Sequence, residues 1–159
     1  GMSQRGGSVT SSVRVGGGVL SPLVPDSGAD LILGFEICET VRNLKKLSKT
    51  GAVVLNTQVI SPVSVSLGIS KYDSDRMIDF IKSKVKNLVV VDACEMAIKA
   101  GSIKAANVVM LGAACGAGFL PFEKERFLSV IINNVPEKFK SLNGTAFEYG
   151  YNYAADLVK

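Results

Sequence analysis

The chain has no histidine and no tryptophan among its 159 residues, and only three cysteines. Histidine is the one side chain whose ordinary charge change falls between pH 5 and 8, so its absence rules out a Ser/His/Asp or Cys/His catalytic arrangement. Cys38, Cys94 and Cys115 are far apart, none belongs to a CxxC pair, and each sits in an apolar helical context. That spacing argues against zinc or iron–sulfur ligation by this chain and reads as buried thiols acting as small hydrophobes. No metal ligand and no catalytic residue is therefore assigned. Also missing is any apolar run long enough to span a bilayer, or a basic-then-apolar leader, so a soluble cytoplasmic protein is expected. Neither sign of charge dominates: 18 Lys and Arg against 14 Asp and Glu give +4. Lys82, Lys84 and Lys86 fall late in a predicted helix, where they complement its dipole. No helix-turn-helix or aromatic RNA-binding motif accompanies them, so nucleic acid is not an expected partner.

What the chain has is apolar substance. Hydrophobic residues make up 47% of it and the mean hydropathy is +0.30, which excludes an intrinsically disordered chain. Residues 1–159 are expected to form one domain. Asp30-Leu31-Ile32-Leu33-Gly34-Phe35 is a short apolar run without alternation, the pattern of a strand covered on both faces. Ile37, Val41, Leu44 and Leu47 then recur at helical spacing, with Lys49-Thr50-Gly51 closing that helix. Ala52-Val53-Val54-Leu55-Asn56 is the next strand. Strand, helix, strand argues for a parallel βαβ unit.

Ser74 is placed to cap a helix carrying Met77, Ile78, Ile81 and Val85 inward, and Leu88-Val89-Val90-Val91-Asp92 is a third buried strand. A small-residue helix through Ala93, Met96, Ala97 and Ala100 is stopped by Gly101. From Ala105 to Cys115 only Asn107 is clearly polar, so this helix is expected to be buried on all sides. Helices through Phe127 to Ile132, a short one from Pro136, and a last one capped by Asn143 complete a helical C-terminal third. The expected fold is a three-layer α/β/α domain with a mostly parallel (mixed) sheet.

At the start of the chain stands Gly1-Met2-Ser3-Gln4-Arg5-Gly6-Gly7-Ser8, followed by an alternating Val9, Ser11, Val13, Val15 stripe. The stripe predicts a half-buried strand. Two glycines permit close backbone approach and Arg5 adds a planar cationic fork, so Gln4, Arg5, Gly6, Gly7 and Ser8 form a candidate anion or carbonyl cradle. A Gly-Gly turn beside a strand is the plainer alternative. In parallel α/β sheets ligands gather beyond the carboxyl ends of the strands. Glu36, Asn56 and Asp92 follow three such strands and are expected to line one rim. Glu36 and Asp92 also suit helix N-termini. Asn107, expected to be buried, would need hydrogen-bond partners and is a fourth candidate. Gly16-Gly17-Gly18, Gly112 and Gly116 lack the strand–loop–helix context of a dinucleotide fingerprint.

The ordered set of segments resembles the gamma-type subunits of 2-oxoacid:ferredoxin oxidoreductases, and within them the indolepyruvate type. The likeness rests on GMSQRGGSVTSSVRVG, then Ala29 to Glu36, Glu39-Thr40-Val41-Arg42, and Val54-Leu55-Asn56-Thr57 with Pro62. It continues through Val91-Asp92-Ala93, Asn107 to Ala113, and Asn143 to Gly150. The resemblance implies an accessory subunit of a complex that oxidatively decarboxylates a 2-oxoacid to an acyl-coenzyme A. It places thiamine diphosphate and iron–sulfur clusters on a larger partner subunit, with ferredoxin as electron acceptor and coenzyme A as co-substrate. Members of that family typically begin with a further strand, a Gly-Gly-Gln-Gly-type loop and a helix, which are expected to be missing here; the uncovered surface is expected to drive homodimerisation. A stand-alone small-molecule-binding or structural α/β domain is the alternative.

Overall fold

The computed structural model describes residues 8–59 and 72–158. Gln4, Arg5, Gly6 and Gly7 therefore lie outside the described residues. Three parallel strands, β1 (Ala29–Gly34), β2 (Leu47–Asn56) and β3 (Asn87–Val91), form a sheet in the order β1-β2-β3. Helix α1 (Ile37–Asn43) links the first two strands and α2 (Ser74–Lys84) precedes the third. Helices α3 (Ala93–Ala100), α4 (Ala106–Gly116), α5 (Lys124–Asn133) and α6 (Lys140–Val158) follow.

The alternating directions of successive β2 side chains divide the core in two. Val53 and Leu55 pack with Ile37 of α1 and Ile81 of α2 on one face. Val54 packs with the α3, α4 and α6 residues Ala97, Val109, Met110 and Phe147 on the other. All six residues from Gly51 to Asn56 are buried, as a central strand covered on both faces requires. The layers are helix, sheet, helix, as the sequence predicts.

Apart from the exposed Asn107 at its first turn, helix α4 is apolar, and it is pressed onto α6 at backbone distance. A Cβ on Gly112 would lie 2.2 Å from the Phe147 carbonyl oxygen, and one on Gly150 would lie 2.0 Å from that of Val109. These two glycines are spacing elements between helices and not nucleotide-binding ones.

Four local expectations are corrected. The Val9–Val15 stripe forms no strand: residues 8–20 are exposed throughout, Val13 by 86% and Val15 by 84%. Alternation supplies a face but not a ladder partner, and no described strand pairs with this segment. Instead, the Arg14 guanidinium donates to the Ser21 and Leu23 carbonyls at 2.8 and 3.2 Å, closing a loop on itself. Strand β2 starts at Leu47, not Ala52, because a 3-10 turn at Leu44–Lys46 ends α1 early and Leu47 joins the strand. Asp73, not Ser74, caps α2, its carboxylate accepting from Arg76 N at 3.0 Å. Asn143 caps nothing: it lies inside α6 and donates to the Phe139 carbonyl one turn back at 2.8 Å.

Candidate functional site

The carboxyl ends of the three strands meet at one rim, and a single buried amide ties them together. Asn56 is 2% exposed. Its Nδ2 donates to the Phe35 carbonyl at 3.2 Å, just beyond β1, and contacts Cys94 Sγ at 3.6 Å. Its Oδ1 accepts from Ala93 N at 2.9 Å, at the start of α3. One side chain at the end of the central strand thus fixes the exits of both outer strands. The ladder reaches one step further where Thr57 N donates to the Val91 carbonyl at 3.0 Å.

Glu36 is half-buried at the N-terminus of α1. One carboxylate oxygen accepts from Glu39 N at 2.8 Å, and its backbone carbonyl accepts from Thr40 N and Thr40 Oγ1 at 3.0 and 2.7 Å. The other carboxylate oxygen accepts from the Tyr72 hydroxyl, 36 residues along the chain. Burial and that bond to Glu36 push the Tyr72 phenol above its ordinary value, so it is a proton donor at neutral pH and not a base. Asp92 is exposed and caps α3 through Glu95 N at 2.8 Å.

Sequence reasoning places Glu36, Asn56 and Asp92 on one rim, and the structure brings all three there, each bonded to backbone. Ser8 is exposed on the N-terminal segment. Asn107 is exposed at the first turn of α4, not buried, because the apolar run surrounding it turns its buried face away at that position. Tyr72 and Cys94 escape the sequence reading. The Glu36 partner of Tyr72 is 36 residues away, so it leaves no local signal in the sequence. Cys94, like Cys38, is half-buried, whereas Cys115 is buried, its thiol pushed up by burial. The rim offers hydrogen-bonding groups and two half-buried cysteines. Among the described residues no group of three His, Cys, Asp or Glu side chains converges as a metal site.

Comparison with known proteins gives a consistent result. The family model described as pyruvate ferredoxin/flavodoxin oxidoreductase matches residues 1–153. An indolepyruvate oxidoreductase subunit IorB from Archaeoglobus fulgidus is 41% identical over 155 residues, covering 97% of this chain and 77% of that protein. Its counterpart from Methanothermobacter thermautotrophicus is 38% identical over 157 residues, covering 98% and 80%. Among solved structures, the gamma subunit of a keto/oxoacid ferredoxin oxidoreductase from Geobacter sulfurreducens PCA shares the fold, with a TM-score of 0.56 at 20% identity. That match covers 79% of this chain and 63% of the solved one.

Proposed function

We propose a function from the premise that the chain belongs to the pyruvate ferredoxin/flavodoxin oxidoreductase family, as the match over residues 1–153 shows. The chain is the small accessory subunit of an indolepyruvate-type 2-oxoacid:ferredoxin oxidoreductase. The observation that carries this is the 41% identity, over 97% of the chain, to a subunit named for that activity.

In the complex the 2-oxoacid loses carbon dioxide, its acyl group passes to the thiol of coenzyme A, and two electrons pass to ferredoxin. The thiamine diphosphate and iron–sulfur clusters belong to the larger subunit. A cluster of the common type needs four thiolates, and this chain has three separated cysteines. Its own residues shape and close the assembly. Asn56 and Glu36 hold the strand exits and the start of α1 in place, so the rim is a rigid surface. Arg5, between Gln4 and the pair Gly6-Gly7, supplies a planar fork suited to a carboxylate or phosphate, on the partner subunit or on coenzyme A. The complex works in the cytoplasm, and the isolated chain associates with itself.

The test is co-expression with a thiamine- and cluster-bearing subunit from the same source. The pair is expected to co-purify and reduce a viologen dye with indolepyruvate and coenzyme A, while the chain alone is inert. A chain that neither binds that subunit nor raises its activity is the stand-alone domain instead.

A further inference from the structure

Strand β3 ends the sheet, and no described strand pairs with its outer side. Successive residues of a strand direct their N–H and C=O groups to opposite sides. Thr57 N donates to the Val91 carbonyl, so Val91 faces β2 and Val90, one residue back, faces outward. By the same alternation Val89 faces β2 and Leu88 faces outward. A row of unpaired backbone groups on such an edge is a template for a strand of another molecule.

The outward carbonyl of Val90 is already taken. Tyr153, 63 residues along the chain in α6, donates its hydroxyl to it at 2.9 Å. Core filling does not explain this tyrosine, because it is 37% exposed. Tyr149 and Leu157, one turn to either side, are exposed on the same stripe of the helix. What holds Tyr153 at the edge is the neighbouring face of α6. Gly150 and Ala154 are buried there, and a Cβ on Gly116 of α4 would lie 2.1 Å from the Tyr151 carbonyl oxygen. Helices this close cannot roll against each other, so the direction in which Tyr153 leaves α6 is fixed.

We propose that Tyr153 guards the β3 edge against strand addition by a second copy of this chain. Its hydroxyl occupies the acceptor that an incoming N–H would need, and its side chain stands where the incoming strand would lie. The strand is short, Asn87–Val91, so closing Val90 leaves Leu88 as the one outward residue inside it. A ladder cannot be built on that alone. Self-association of the chain, where it occurs, then uses another surface.

Sedimentation velocity of the full chain over a concentration series tests this. Tyr153→Phe keeps the ring and removes the bond, and Tyr153→Ala removes both. Tyr153→Phe is expected to self-associate at about five- to tenfold lower concentration than the wild type, and Tyr153→Ala at lower still. The associated species should gain an intermolecular-sheet component in the infrared amide band. Asn143→Ala removes a different side-chain bond of the same helix, to the Phe139 carbonyl at 2.8 Å, and should sediment like the wild type. That variant separates an opened edge from a mere loss of stability. Either tyrosine variant sedimenting like the wild type, association without the sheet component, or equal association of Asn143→Ala would overturn the proposal. Each variant is read against the wild-type chain, so the outcome does not depend on the oxidoreductase reading.

Discussion

Asn56 shows how one residue can be both legible and misjudged. Its position after an apolar strand marks it for the carboxyl-end rim, and the structure puts it there. What the sequence does not reveal is that its polar atoms are committed, to Phe35, Ala93 and Cys94. Those partners are 21 to 38 residues away, beyond the reach of any local pattern. The same limit hides Tyr72 behind Glu36. Asn107 fails in the other direction: an apolar run implies burial for every member, yet a helix's first turn can still show one side chain to water. Because the Asn56 side chain is buried and bonded, Asn56→Ala leaves the Phe35 carbonyl and Ala93 N–H unsatisfied. The expected loss is about 2–4 kcal/mol of unfolding free energy in a denaturant titration. A change below about 0.5 kcal/mol would mean that water replaces the amide at no cost, and that Asn56 is available for a ligand.

Among the elements, those fixed by burial were legible and those fixed by a partner were not. Buried runs such as 52–56 and 88–91 announce themselves because both faces are covered. The start of β2 did not, since Leu44 and Leu47 continue the helical spacing of Ile37 and Val41 while the backbone has already turned. The Val9–Val15 stripe has strand periodicity without a strand beside it. Helices α4 and α6 offer the sharpest test at this scale, because glycine plays two different parts in them. At Gly112 and Gly150 an added methyl would meet opposing backbone at 2.2 and 2.0 Å, so the helices must separate. Gly112→Ala and Gly150→Ala should each cost about 1–3 kcal/mol or more. At Gly144, also inside α6, the nearest atom is Ile132 Cδ1 at 3.5 Å, an ordinary contact. Gly144→Ala should therefore stabilise by about 0.5–1 kcal/mol through helix propensity alone. Thermal melts of the three variants should split in sign. Unchanged or raised melting temperatures for Gly112→Ala and Gly150→Ala would show that the close approach of α4 and α6 is wrong.

Across the whole molecule, three distant groups share one linkage sign. The Tyr72 phenol is pushed up by burial and its bond to Glu36, and the Cys115 thiol is pushed up by burial. The Lys124 ammonium is raised by its hydrogen bond to Glu148, at 2.8 Å. Each binds its proton more tightly in the folded chain than in the unfolded one. The stability each contributes is complete below its ordinary value, about 9.0 for the thiol, 10.0 for the phenol and 10.5 for the ammonium. Above those values the unfolded chain releases protons first, so stability falls as pH rises toward the folded-state values. The rim and the α4–α6 side of the core should thus weaken together in alkali. Denaturant midpoints measured from pH 8 to pH 11 should be level at first and then decline. Tyr72→Phe keeps the ring's packing but removes both the titration and the bond to Glu36. It should lower stability at pH 8 and make the decline above pH 10 shallower, so that the two curves converge. Parallel curves would show that Tyr72 titrates alike in both states and that its bond to Glu36 does not hold the rim.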